Sequence, residues 1–135
     1  MLGEKIGESK GKITNNRVLT PDASGTKVET SFHGTGTLLG IDCNELGTYF
    51  AAFQASGALH GEGQGVITTK DGEVVTWRGT GVGKPTGKGS AVNYRGALCY
   101  QTTATRFGRL NSTCAIFEYN VDETGNTHGQ IWEWK

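Results

Sequence analysis

The sequence has little proline, an even balance of charges and no long apolar run. Its 135 residues include only Pro21 and Pro85, and 13 basic residues balance 13 acidic ones. A chain without a basic field lacks the electrostatic footprint that nucleic-acid and anionic-membrane binding usually need. No segment approaches the length of an apolar membrane span. We therefore predict neither a nucleic-acid partner nor a membrane partner.

Cysteine is also scarce. Cys43, Cys99 and Cys114 are odd in number and show no C-x-x-C motif, which argues against a complete framework of internal disulfides. The first residues, MLGEKIGESKGK, lack the apolar core of a secretory signal. These features predict a reduced, cytoplasmic protein. The length fits a single domain over residues 1–135.

Glycine, by contrast, is abundant, with 22 residues, and it marks the most informative stretch, residues 61–89. Two alternating runs flank Asp71-Gly72, and an Asp-Gly pair between such runs is a strong hairpin signal. A two-residue loop at this pair would place Glu62, Gln64 and Trp77 on one face of the hairpin. Because glycines in both arms let a sheet curl, we predict that this hairpin lies at the centre of a barrel.

The rest of the chain alternates in the same way and offers no amphipathic helix. We predict further strands within residues 4–19, 27–41, 47–56, 90–102, 114–121 and 128–135, joined by turns or connectors at 20–25, 42–45, 84–89, 107–113 and 122–126. This succession predicts an all-β fold, a single antiparallel up-and-down β-barrel of about seven or eight strands. Residues 47–56 are apolar on both faces, with a short helix as the alternative. An outward apolar face there would be a subunit contact in a homo-oligomer.

No motif in the sequence predicts a metal site, a cofactor or an activated nucleophile. The run at residues 61–65 contains G-x-G-x-G, but strand sequence follows it where dinucleotide binding requires a helix. His33, His60 and His128 have no metal-ligand spacing with one another or with cysteine. No G-x-S-x-G, Walker or H-E-x-x-H sequence occurs. We predict that the protein uses no cofactor and no metal.

The interior of the predicted barrel holds the candidate site. In the expected strand registers, three aromatic side chains and two polar side chains point into the lumen. They are Trp77, Tyr94 and Tyr100, with Glu62 and Gln64 as the polar anchors. Apolar walls with a few polar groups are typical of small-molecule pockets. Among aromatic walls, the Glu62 carboxyl would be the candidate catalytic acid or base. Alternatively, Glu62 is a buried structural carboxylate or lies at an open rim.

Glycine-rich runs recur along nearly the whole chain, namely GTGTLLG (34–40), GTYF (47–50), GEGQG (61–65), TWRGTGVG (76–83), YRGALCYQT (94–102) and EYNVDETGNT (118–127). In this succession the chain resembles small uncharacterised prokaryotic proteins that are similar to the allene oxide cyclase-like, calycin-type β-barrels. The resemblance implies an antiparallel barrel with a central cavity, often in an oligomer. Plant allene oxide cyclases cyclise an unstable fatty-acid epoxide in such a cavity. Their active-site residues have no match here, and a shared fold does not carry an activity with it.

Three functions are compatible with these features. The first is the binding of a small apolar or amphipathic molecule in the barrel cavity. The second is a cyclase or isomerase type of enzyme that uses Glu62 as acid or base. The third is a structural protein without a ligand, which forms oligomers through the apolar strand around residues 49–53. The sequence leaves open whether a reaction is catalysed.

Overall fold

The protein is a closed barrel of eight antiparallel strands in the computed structural model, which describes all 135 residues. Each strand pairs with its neighbours in sequence, and the first strand pairs with the last. The strands and the single 3₁₀ helix are β1 (Leu2–Asp22), β2 (Gly25–Leu38), β3 (Ile41–Phe53), β4 (Leu59–Thr69), β5 (Val74–Pro85), β6 (Val92–Thr102), the helix (Thr105–Ser112), β7 (Cys114–Val121) and β8 (Asn126–Trp134). The predicted all-β, up-and-down barrel is confirmed. No helix has the length and apolar character that crossing a lipid bilayer requires.

Alternation along the strands sorts the side chains between the interior and the solvent. On β6, the inward residues Tyr94, Leu98 and Tyr100 are 7%, 6% and 5% exposed, respectively. Arg95, between them in sequence, is exposed on the outer wall. Strand β6 pairs with β5 so that Trp77 lies opposite Tyr100, and the inward residues of β6 share the face of Trp77, as predicted. The apolar faces of both strands therefore meet inside the barrel, as the sequence pattern indicated.

The register of the hairpin between β4 and β5 differs from the prediction. The Thr69 N–H donates to the Glu73 carbonyl at 3.0 Å, so the loop has three residues rather than two. Gly72 has a φ of 84°, as in the three-residue loop that ends in a left-handed glycine. The extra loop residue shifts the register and sets Gly65 opposite Trp77. Because a shift of one residue turns a strand's side chains to the other face, the face of β4 that we expected inside lies outside.

The turn between β2 and β3 also differs from the prediction. We predicted a turn at residues 42–45, whereas the chain reverses at Leu39-Gly40, with φ values of 50° and 76°. Positive φ at both central residues is typical of a type I′ hairpin turn. Leucine gives no sign of this turn in the sequence, because residues other than glycine rarely adopt positive φ. Strand β3 therefore begins at Ile41, and Glu45 belongs to the strand.

The segment predicted at residues 47–56 is a strand as far as Phe53, and the alternative short helix is wrong. Tyr49 and Ala51 lie on its inner face, and Phe50 lies on the outer face. The Lys27 ammonium lies 5.3 Å from the centroid of the Phe50 ring and covers part of the outward apolar surface. The homo-oligomer that we predicted from this surface stays a prediction.

The two ends of the barrel are filled by different apolar clusters. At one end the 3₁₀ helix closes the barrel with Phe107 and Leu110, both of which are 0% exposed. They belong to a cluster with Val75 and inward residues of the neighbouring strands. At the other end, a smaller cluster contains Ala51 and Leu59. The candidate site adjoins both clusters, since Trp77 packs against the first and Tyr94 belongs to the second.

Glycines on the inner wall make room for aromatic side chains. A Cβ at Gly65 would overlap the Trp77 indole, and a Cβ at Gly47 would overlap the Phe32 ring. Because the wall has no side chain at these positions, aromatic residues of neighbouring strands lie across it. The glycine-rich strands thus determine the shape of the interior as well as the curvature of the sheet.

Candidate binding site in the barrel interior

The centre of the interior contains one carboxyl group, that of Glu45. The Trp77 indole N–H donates a hydrogen bond of 2.8 Å to Glu45 Oε2. The Ser9 hydroxyl donates a hydrogen bond of 3.1 Å to Glu45 Oε1. Glu45 is on β3, whereas Ser9 is on β1 and Trp77 is on β5. Since each partner is two strands away, the carboxyl joins side chains across the lumen rather than along one hairpin.

Burial makes ionisation of this carboxyl unfavourable. Desolvation raises the pKa of Glu45, and the hydrogen bonds from Ser9 and Trp77 oppose that effect only in part. Both partners are uncharged, and none of the ion pairs in the protein includes Glu45. A carboxyl without a cationic partner in such surroundings favours its neutral form. Glu45 can therefore accept a hydrogen bond, donate one, or carry a proton within the barrel.

Next to Glu45, four aromatic rings pack together as what we call the aromatic cluster, formed by Phe32, Tyr49, Tyr94 and Tyr119. The ring centroids are 5.2 Å apart for Phe32 and Tyr119, and 5.5 Å apart for Tyr49 and Tyr94. Burial raises the pKa of all three tyrosine hydroxyls, so they stay neutral. Pairs at these distances add dispersion and quadrupole attraction to the burial of their surfaces.

One tyrosine hydroxyl in the interior lacks a hydrogen-bond partner. It belongs to Tyr100, nearer the helix end of the barrel. Buried polar groups in folded proteins are nearly always paired, and an unpaired one costs about 1–3 kcal/mol. The interior therefore holds more hydrogen-bonding capacity than its own side chains satisfy.

A cavity of about 80 Å³ lies beside these groups. Its walls are Glu45, Trp77, the aromatic cluster and glycines of the inner wall on β4 and β5. A dry cavity of about 150 Å³ in another protein holds benzene, so this cavity has room for only a few non-hydrogen atoms. It is well below the roughly 300–1,000 Å³ of common ligand pockets. The site in this form suits a very small molecule or ordered water.

The predicted site residues divide between the two faces of the wall. Trp77, Tyr94 and Tyr100 lie inside, as predicted, and the first two line the cavity. The predicted inward orientation of Glu62 and Gln64 is wrong, because the three-residue loop shifts β4 by one position. Glu62 borders the cavity from the wall, but its side chain is exposed. The Gln64 amide donates to the Thr48 carbonyl at 3.2 Å, and the side chain is likewise exposed.

The interior carboxyl that the sequence analysis missed is Glu45. The predicted turn at residues 42–45 is in fact part of β3. Alternate residues on both sides of Glu45 face inward, namely Ile41, Cys43, Gly47 and Tyr49. Had the turn been placed at residues 39–40, the same alternation would have put Glu45 inside. The alternation that places Glu45 inside was present in the sequence, but the polar residues 42–45 between two apolar runs favoured a loop.

The three histidines lie on the outer wall, away from the cavity. His128 pairs with Glu8 through atoms 2.6 Å apart, Nε2 and Oε2. Lys5 and then His128 lower the pKa of Glu8 to about 2. No group of three or more histidine, cysteine, aspartate or glutamate side chains is placed to hold a metal ion.

A scan against protein-family models and a search of curated proteins found no match. Solved structures of similar fold include a protein of unknown function from Clostridium acetobutylicum, with a TM-score of 0.82, 10% identity, and coverage of 96% of this chain and 96% of that one. A conserved protein of unknown function from Rhodopseudomonas palustris has a TM-score of 0.83 at 13% identity and covers 98% and 97%. A β-barrel-like protein from Acinetobacter baumannii has a TM-score of 0.82 at 14% identity and covers 100% and 96%. At such identities the likeness is one of fold, and the chain shares its barrel with bacterial proteins of unknown function.

Proposed function

We propose that the barrel interior binds a small amphipathic molecule, with the polar group of the ligand on Glu45 and its apolar part against the aromatic cluster. The observation that carries the proposal is a buried carboxyl, paired only with neutral donors, beside a cavity. A buried carboxyl costs free energy that an apolar side chain of similar volume would not. A ligand that donates a hydrogen bond to the carboxyl would offset part of that cost.

The volume of the cavity restricts the class of ligand. A space of about 80 Å³ suits short alcohols, amines, amides or carboxylic acids rather than a long acyl chain. A larger ligand would have to displace rings of the aromatic cluster. The resemblance to allene oxide cyclase-like barrels belongs to this proposal only as support for an interior site, because a fatty-acid epoxide far exceeds this volume.

Trp77 provides a direct reporter for binding, because its indole donates to the same carboxyl. In a Trp132→Phe, Trp134→Phe background, Trp77 is the remaining tryptophan. Titration with short alcohols, amines, amides and acids should give a saturable change in its emission for one of these classes. Native mass spectrometry of gently purified protein would show in parallel whether a small molecule of defined mass accompanies the chain.

Two matched substitutions test whether the interior carboxyl is responsible. Glu45→Gln should weaken binding about two- to tenfold, since a hydrogen bond between neutral groups contributes about 0.5–1.5 kcal/mol. Glu62→Gln makes the same chemical change on the outer wall and should leave the affinity unchanged. The proposal fails if no compound gives saturation, or if the two substitutions weaken binding equally.

The raised pKa of Glu45 favours a second candidate, an enzyme of the isomerase or cyclase type in which Glu45 moves a proton. A carboxyl whose pKa is raised keeps its proton to a higher pH than an ordinary glutamate does, which suits general acid catalysis. Once a ligand is known, Glu45→Gln should abolish turnover of that molecule while the folded barrel persists. Turnover that survives this substitution would remove Glu45 from the mechanism.

A further inference from the structure

The outer wall near the helix end carries two cysteines directly opposite each other. Cys99 on β6 and Cys114 on β7 are paired residues in the antiparallel register. The adjacent pair, Leu98 and Ala115, is buried in the core, so alternation places both thiols on the outer face. Cys99 is exposed and Cys114 is half-buried.

Directly opposed residues on antiparallel strands have the spacing that a disulfide needs. Their Cα atoms are about 4.5–5.5 Å apart, depending on which of the two pair types they form. Disulfides span Cα distances of about 4.4–6.8 Å. The Cβ atoms of such a pair are about 4.5–5.5 Å apart and approach to about 3.5–4.5 Å in a disulfide, so the two strands have to move together only slightly.

We propose that Cys99 and Cys114 form a reversible cross-strand disulfide by exchange with a small-molecule disulfide such as oxidised glutathione. The exposed Cys99 thiolate attacks the external disulfide, which gives a mixed disulfide and releases one small thiol. Cys114, after loss of its proton to solvent, attacks the Cys99 sulfur and releases the second small thiol. One disulfide is reduced and one is formed, so electrons and protons balance.

The third cysteine lies on the other face of the wall and is more deeply buried than Cys99. Cys43 lies on the inner phase of β3, and burial, with Glu45 and Asp42 nearby, raises the pKa of its thiol to about 11. A thiol that is half-buried and protonated at neutral pH reacts slowly. Cys43 is therefore an internal control for the reactivity of the pair. With three cysteines, the chain cannot pair all of its thiols in internal disulfides, but one pair and one separate thiol are possible.

The disulfide would close a loop that contains the helix at the end of the barrel. The segment between Cys99 and Cys114 includes Thr105–Ser112, whose Phe107 and Leu110 fill that end of the core. Linking the two strands at the base of this segment restrains its opening. Oxidation would thus stabilise the closed end of the barrel, and reduction would release it.

The test is incubation of the full chain with oxidised and reduced glutathione at a series of ratios, followed by intact mass and peptide mapping. The wild-type chain should lose two hydrogen masses and join Cys99 to Cys114, with Cys43 still reduced. Cys114→Ser should instead retain one glutathione on Cys99, and Cys99→Ser should react far more slowly. A wild-type chain that keeps both thiols, or that carries stable glutathione on Cys99, overturns the proposal.

The effect on the helix is measured separately on the verified disulfide form. Closing a loop of about 15 residues should raise the thermal midpoint by about 5–10 °C relative to the reduced chain. Amide hydrogen exchange across residues 105–112 should slow in the oxidised form and return to the original rate on reduction. A linked chain whose helix exchanges at the reduced rate would contradict the restraint on this end of the barrel.

Discussion

Replacing Glu45 by glutamine should change how the stability of the protein depends on pH. Burial raises the folded-state pKa of Glu45 above its value in the unfolded chain. A group of this kind contributes most stability below its unfolded pKa, where it is protonated in both states. As the pH rises towards the folded pKa, the unfolded chain loses the proton first, and the free energy of unfolding falls.

The size of the effect follows from the contacts of the carboxyl. Glutamine at this position can accept from Trp77 through its carbonyl and donate to the Ser9 oxygen, so both hydrogen bonds have a replacement. At low pH the two chains should therefore differ by less than about 1 kcal/mol. At neutral pH the variant should gain about 1.4 kcal/mol over the wild type for each unit by which the folded pKa is raised.

The assay is urea unfolding of both chains between about pH 4 and about pH 8, a range that begins near the pKa of an unperturbed glutamate. The difference between the two plots of unfolding free energy against pH cancels the contribution of the other titrating groups, because both proteins contain them. Glu62→Gln makes the same chemical change on an exposed side chain and is the control. A flat difference for Glu45→Gln would refute the argument that this carboxyl is desolvated in the folded barrel.

Further substitutions test the packing around the site. Gly65→Ala should destabilise the protein by about 1–3 kcal/mol in denaturant unfolding, because the added Cβ overlaps the Trp77 indole; Gly108→Ala, which meets open space, is its control and should have little effect. Phe107→Ala should cost about 3–5 kcal/mol by the same measurement, since this fully buried ring fills the helix end of the barrel. Tyr100→Phe removes an unpaired buried hydroxyl and should leave the thermal midpoint unchanged or raise it by the equivalent of about 1–3 kcal/mol, whereas a marked fall would show that the hydroxyl has a partner.

Much of the architecture could be predicted from local pattern. Period-two alternation and frequent turn signals were sufficient for an all-β barrel, because both depend on neighbouring residues. The inward face of β6 was also predictable, since it places Tyr100 on the same side of the sheet as Trp77. These inferences needed no knowledge of how distant strands meet.

The candidate site was predicted only in part. Trp77 and Tyr94 were expected in the lumen and do line the cavity. Glu62 was expected beside them, but one additional residue in the loop before β5 places its side chain outside. A loop of two or of three residues is compatible with the same Asp-Gly sequence, and an error of one residue inverts the strand.

The sequence by itself determined the class of fold, because strand alternation and turn chemistry are local properties. Only the tertiary structure decided which acid lies inside. The inward orientation of Glu45 depends on the left-handed turn at residues 39–40. Its partners Ser9 and Trp77 come from strands that meet it only when the barrel closes. The same closure sets Cys99 beside Cys114. Closure and register join residues far apart in the chain, and spacing along the sequence does not specify those contacts.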